Sequence, residues 1–184
     1  MDLEKLQNSF IYKHKLYNPT NIDGWKAAGD AISELERQGV TIATSELFDS
    51  MGNQDFSLCP TYPEMIVVPR QMQDQEIQAC AAFRTKSRMP ALTYLYKANG
   101  CSIWRSSQPR NGLMSQSTED QKMLKEISAV GSGYPTLSIY DCRPRLNAQG
   151  NRMKGGGFES TAVYTNSEFS FCGIENIHAV SKAF

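Results

Sequence analysis

Short β-rich apolar runs alternate with helical repeats along this chain, and that alternation limits its fold more than any other feature. Met65-Ile66-Val67-Val68, closed by Pro69, has the length and composition of a buried strand. Pro90 to Tyr96 and Cys101 to Arg105 flank Asn99-Gly100, a dipeptide favoured in tight hairpins. Leu137 to Tyr140 and Phe169 to Ile174 are further strand-like runs. Asp74 is placed to cap a helix through Ile77, Cys80, Ala81 and Phe83. Thr118-Glu119-Asp120-Gln121 has the pattern of a capping box, with Met123, Leu124 and Ile127 on one face of the following helix and Gly131 to Gly133 at its end. Asp141-Cys142-Arg143-Pro144 turns from a strand into a helix containing Leu146, and a last helix opens at Glu175. Strands separated by helices predict an α/β fold, a sheet with parallel members flanked by helices.

Upstream the signals are weaker. Phe10-Ile11-Tyr12 reads as a short strand and Asn18-Pro19-Thr20-Asn21 as a turn, with a domain boundary near Asn18 to Gly24. Asp30 caps a helix through Ile32, Leu35 and Gln38, and Gly39 stands where it stops. Ser45 to Ser57 is polar and reads as loop.

A chain of 184 residues suits a single domain. Its 19 basic and 19 acidic residues are interspersed, with no like-charge block that would suit nucleic acid or a basic membrane tail. No apolar run approaches the roughly 18 residues a transmembrane helix needs. The start, Met-Asp-Leu-Glu-Lys, is acidic and lacks the apolar stretch of a secretory leader. Five cysteines are widely spaced, with no C-x-x-C pair, and only His14 and His178 could join them. That pattern predicts reduced, buried thiols in a cytosolic protein, with no metal site.

Several segments carry candidate chemistry. Asp141-Cys142-Arg143-Pro144 follows an apolar strand, where open α/β sheets place ligands; equally, an Asp–Arg pair pins such a turn. Gly155-Gly156-Gly157 follows Asn151, Arg152 and Lys154, a composition suited to a phosphate cradle or to a surface loop. Asn176 and His178 open the last helix, as anion ligands or as a cap and a half-buried ring. Arg105 is either a phosphate fork or an ion-pair partner. The cysteine-phosphatase loop needs Arg six positions after its nucleophile. Those positions hold Met65, Lys86, Ser107, Ala148 and His178, so no catalytic residue is assigned.

Arg105-Ser106-Ser107-Gln108-Pro109, Asp141 to Pro144, Asn147-Ala148, Asn151, Gly155 to Glu159 and Ile174 to His178 together resemble the myotubularin family of phosphoinositide 3-phosphatases. Asn21 to Trp25, Glu36 to Gly39, Leu58 to Pro63, Val67 to Pro69 and Phe83 to Leu92 extend the resemblance in order along the chain. It implies an incomplete cysteine-phosphatase-like α/β sheet flanked by helices. Residues 1–20 become a leader, the remnant of a linker after a PH-like GRAM domain, and residues 21–184 a partial phosphatase domain. The implied ligand is the headgroup of phosphatidylinositol 3-phosphate or its 3,5-bisphosphate, bound by Asn151, Asn176 and Ile177. Arg84, Arg88, Arg105 and Arg143 match arginines read as architectural. The family's Cys-Ser-Asp-Gly-Trp-Asp-Arg loop lies beyond the Asn-Ile-His block, and this chain reaches only Phe184. Expectation therefore divides between a truncated piece of an active phosphatase and an inactive binding or regulatory member. The resemblance further implies no cofactor, a cytoplasmic location that extends to endosomal membrane surfaces, and pairing with a like or related chain.

Overall fold

The computed structural model describes residues 34–112, 115–131 and 136–182. The readings made for Phe10 to Tyr12, Asn18 to Gly24 and the Asp30 cap lie outside those residues. Residues 34–37 are helical and the helix stops as the sequence requires. Gly39, at φ +93°, donates to Glu36 O while Val40 donates to Leu35 O, which closes the last turn in the left-handed conformation that glycine adopts without a Cβ clash.

Six strands and four helices follow: β1 (Phe48–Gly52), β2 (Met65–Pro69), α1 (Asp74–Phe83), β3 (Ala91–Tyr96), β4 (Cys101–Arg105), α2 (Thr118–Val130), β5 (Leu137–Asp141), α3 (Arg145–Arg152), β6 (Ser167–Phe171) and α4 (Ile177–Lys182). The protein is α/β, but the strands pair as three two-stranded sheets. β1–β2 and β3–β4 are antiparallel, and the expected parallel pairing is confined to β5–β6. A parallel pair needs a long crossover, which α3 supplies between β5 and β6, whereas the strands joined through α1 and through α2 do not pair with each other.

β2 organises the interior. Ile66 and Val68 face one apolar cluster with Met72, Ile77, Cys80, Met89, Met123, Leu124 and Ile127 from α1, α2 and their flanks. Val67, on the opposite face, joins Val40, Phe48, Leu92 and Val130. Each such side chain contributes about 1.5–3 kcal/mol on burial. Met123, Leu124 and Ile127 are buried as their spacing required, whereas Leu146 stands exposed and Ala148 is the buried residue of α3.

Three expectations are corrected. Ser45 to Ser57 is not all loop, because Phe48 to Gly52 forms β1. A strand buried on both faces must pair its backbone, and β1 answers β2 with one buried residue, Phe48. Helix caps fall one residue early. Gln73 caps α1, its N–H donating to Glu76 Oε2 at 2.9 Å. Ser117 caps α2, its Oγ accepting from Asp120 N at 3.1 Å. Finally, only Cys59 and Cys80 are buried, while Cys101, Cys142 and Cys172 are exposed and all five thiols are free. The exposed three sit at the ends of strands in thin two-stranded sheets, which leave one face open.

Candidate functional site

Arg84 ends α1 and is fully buried, an arrangement tolerated only when every donor is answered. Asp120 accepts from it bidentately, with Nε–Oδ1 and Nη2–Oδ2 both 2.7 Å. Nη1 bonds Ser107 O at 2.8 Å and the Glu159 carboxylate. Tyr164 and Cys80 donate to Asp120 at 2.7 and 3.1 Å. Burial opposes the charge on Arg84, but Asp120 and Glu159 outweigh it and raise its pKa further. Burial and the Asp120 carboxylate push the Cys80 thiol and the Tyr164 phenol up, so both keep their protons.

Around this hub two segments singled out by sequence are stitched together. Thr85 N bonds Gln108 O at 3.1 Å, Ser107 N bonds Arg88 O at 2.9 Å and Arg110 N bonds Phe83 O at 2.8 Å. The Ser107 hydroxyl adds a 2.7 Å bond to Thr85 O. Arg105-Ser-Ser-Gln-Pro109 is thereby held against Phe83 to Arg88.

Above the hub lies a cavity of about 330 Å³ lined by Ser106, Ser107, Gln108, Ile139 to Arg143, Asn151 and Glu159. Residues from four of the motif segments between Arg105 and Glu159 therefore contribute to its wall, while the glycine run itself does not. The cavity stands at the carboxyl end of β5, which pairs in parallel with β6, the position at which α/β proteins collect ligands. A larger cavity of about 560 Å³ is lined by Tyr62, Arg88, Arg105 and apolar residues of β2 and β3. Burial pushes the Tyr62 phenol there up to about 12, reinforced by Cys59 and opposed by Arg105 and Arg88. The smaller cavity is the candidate site because separate motifs converge on it.

Within it, Arg143 is committed to structure. Its Nε and Nη2 bind the Asp141 carboxylate at 2.9 and 2.6 Å, Nη2 reaches Gly157 O at 2.8 Å and Nη1 reaches Gln108 Oε1. The Asp–Arg pair thus pins the strand-to-helix turn. Gly155 is open, but the next two glycines face protein: a Cβ on Gly156 would meet the Gln108 amide at 2.8 Å, and one on Gly157 would meet Asn111 Oδ1 at 1.6 Å. These glycines permit close packing against Gln108 and Asn111, which is where a phosphate cradle reading would have put a ligand. Asn111 Nδ2 bonds Phe158 O at 2.8 Å, and its Oδ1 is buried without a partner among the described residues.

Asn151 lines the cavity, and its main-chain oxygen accepts from Lys154 and Gly156 N–H. Asn176 is exposed, lies outside that lining, and uses Oδ1 to accept from His178 N and Ala179 N at 2.9 and 3.1 Å. Ile177 is the first residue of α4. The link between the two places is backbone: Cys172 N bonds Asp141 O and Ile174 N bonds Cys142 O, both 2.8 Å, so the strand leading to Asn176 borders the cavity turn. Arg105 is exposed on the other cavity, without the buried ion pair that Arg84 has, and His178 is exposed. Sequence reasoning missed Asp120, Tyr164 and Asn111; their partners lie far along the chain, and no local pattern marks them.

Residues 7–184 match the sequence profile described as the myotubularin-like phosphatase domain. The chain is 38% identical over 175 residues to phosphatidylinositol-3,5-bisphosphate 3-phosphatase MTMR8 of Gallus gallus, covering 95% of this chain and 27% of the relative. It is 37% identical to the Homo sapiens protein of that name, covering 95% and 24%. It is 36% identical to phosphatidylinositol-3,5-bisphosphate 3-phosphatase MTMR2 of Bos taurus, covering 95% and 26%. The chain thus spans about a quarter of the length of these curated relatives.

Proposed function

The chain belongs to the myotubularin-like phosphatase family, and from that premise we propose that it forms part of a phosphoinositide-recognising wall of such a phosphatase domain. The ligand is the headgroup of phosphatidylinositol 3-phosphate or 3,5-bisphosphate, the latter being the lipid for which the relatives are named. The observation that carries this reading is the convergence of four motif segments on one cavity at the carboxyl end of β5. Asn151 donates its amide to inositol hydroxyl or phosphate oxygens, and Asn176 and Ile177 complete the headgroup contact from the start of α4. Ser106 and Gln108 add polar groups on the opposite wall.

In this proposal residues 21–184 are the front part of the phosphatase domain, an incomplete cysteine-phosphatase-like sheet. The protein works in the cytoplasm, at endosomal membrane surfaces, and pairs with a like or related chain. No helix among the described residues is long and apolar enough to cross a membrane, which suits peripheral attachment. Phosphate release needs a thiolate with an arginine six positions on, and none of the five cysteines has one. A second reading is a binding or regulatory protein, and on either reading residues 1–184 themselves carry no such nucleophile.

The test is co-sedimentation with phosphatidylcholine vesicles carrying phosphatidylinositol 3-phosphate or the 3,5-bisphosphate. Asn151→Ala should weaken retention about 10- to 150-fold, equivalent to one lost hydrogen bond to a charged group, with far-ultraviolet circular dichroism unchanged. Equal retention of wild type and variant would remove Asn151 from the site. Phosphate release by the 184-residue chain should stay at the level of a protein-free blank, and turnover above it would overturn the non-catalytic reading.

A further inference from the structure

Three exposed cysteines are left unused by the site, and two of them face one another across a ladder. The β5–β6 register runs Leu137↔Ser167 to Asp141↔Phe171, so its next step sets Cys142 opposite Cys172. Cys172 N donates to Asp141 O at 2.8 Å, which shows that the pairing still holds at this step. Alternation puts both residues on the same face, in phase with exposed Ser138 and Tyr140 on β5 and with exposed Glu168 and Ser170 on β6. Adjacent strands lie about 4.8 Å apart, which is within the Cα separation of about 4.4–6.8 Å that a disulfide accepts. Cys142 also lines the candidate cavity.

We propose that Cys142 and Cys172 are a redox-modification site, a dithiol that closes reversibly to a disulfide at the rim of the cavity. The oxidant is a small disulfide of the glutathione class. One thiolate attacks it, forming a protein–glutathione mixed disulfide and releasing one equivalent of reduced thiol. The facing thiolate then attacks the protein sulfur and expels the second equivalent. Two S–H bonds are lost, one S–S bond forms, and the oxidant takes both electrons and both protons. Closure ties the Asp141–Pro144 turn, which lines the cavity, to the Gly173–Asn176 segment beside it, so the turn cannot move away from that segment. Cys59 and Cys80 are buried and Cys101 lies on β4, so none of them competes for this partner. The chemistry stands whether or not the cavity takes an inositol lipid.

The full chain is treated with oxidised glutathione and its accessible thiols are titrated without denaturant. Three should react before treatment and none afterwards, with glutathione found on Cys101 but on neither Cys142 nor Cys172, and dithiothreitol restoring three. Mass spectrometry of a non-reduced digest should find a Cys142–Cys172 linked peptide. Cys142→Ser should leave Cys172 as a stable glutathione adduct, and Cys172→Ser should do the converse. Cys101→Ser should leave the linked peptide in place, and tryptophan fluorescence should show each variant folded. Stable glutathione on both Cys142 and Cys172 of the wild type, or linkage of either to Cys101 or to a second chain, overturns the proposal.

Discussion

Around Arg84 and around β5–β6 the same chain adopts opposite strategies. Arg84, Asp120, Cys80 and Met123 are without solvent contact, and every Arg84 donor nitrogen has a partner. β5 and β6 alternate half-buried and exposed residues and contain no fully buried position, and Tyr140 is 68% exposed. Phe171 packs edge-on against Phe158 and Phe169, which are tilted to each other, with centroids 4.8–5.6 Å apart, and this gives the sheet a small apolar contact of its own. Rigidity is concentrated in the hub, and the cavity is set on its more open side. Charge is internally paired in both regions, Arg84 with its carboxylates in the hub and Arg143 with Asp141 on the cavity lining, which leaves neutral amides, hydroxyls and a thiol as the uncommitted groups there.

The contrast is tested most severely at the hub. Arg84→Ala leaves two carboxylates facing a cavity without their cation, and should cost about 3–5 kcal/mol. The check is urea denaturation: the variant should lose its cooperative transition or shift its midpoint far down, whereas Tyr140→Ala on the exposed sheet should move it little. Equal shifts would mean that stability is spread evenly and the division is wrong.

A smaller effect is expected where the two regions touch. Gly157→Ala places a methyl on Asn111 Oδ1 and should cost about 1–3 kcal/mol as overpacking. Gly150→Ala, in α3 with nothing within 4 Å, should instead stabilise by about 0.5–1 kcal/mol. Thermal melts of the two variants should therefore move in opposite directions.

The smallest effect is a proton at the border of the second cavity. Tyr62 donates to Met89 O and Arg105 O at 2.9 and 3.2 Å, and its pKa is raised to about 12 from the ordinary value near 10. In the unfolded chain the phenol ionises first, so its contribution is complete below pH 10 and is lost as pH rises through 12. Denaturation of Tyr62→Phe should thus be less steep with pH than wild type between 10 and 12, and parallel curves would show that Tyr62 keeps an ordinary pKa.

Local signals read correctly wherever the cause was local. Asn99-Gly100 gave the hairpin, and Asn99 Oδ1 accepts from Cys101 N at 3.0 Å to set the turn. Gly39 gave the helix stop, and Met65 to Val68 gave a buried strand. Errors arose where a distant residue decided. Ser117 and Thr118 are equivalent caps by type, and the register is settled by Asp120, which reaches Arg84 36 residues away. β1 is polar because it need only answer the backbone of β2. Asn53, inside the stretch read as loop, is buried and holds Cys59 and Pro63 through its amide, a role that composition does not mark. At the site, the motif segments from Arg105 to Glu159 were legible and do converge on one cavity. The commitment of Arg143 and the glycines to internal packing was not, because it depends on Gln108 and Asn111.

The hub also has a timetable. Arg84 meets Asp120 across 36 residues and Glu159 across 75. A chain leaving the ribosome can therefore join α1 to α2 through the first carboxylate before the second has emerged. Between those moments the guanidinium is neutralised by one partner, with a remaining face toward water or a chaperone. The longer closure, which carries the larger entropic cost, is the step that fixes the cavity wall. Assembly of this half of the molecule is thus ordered by where its acids fall in the message.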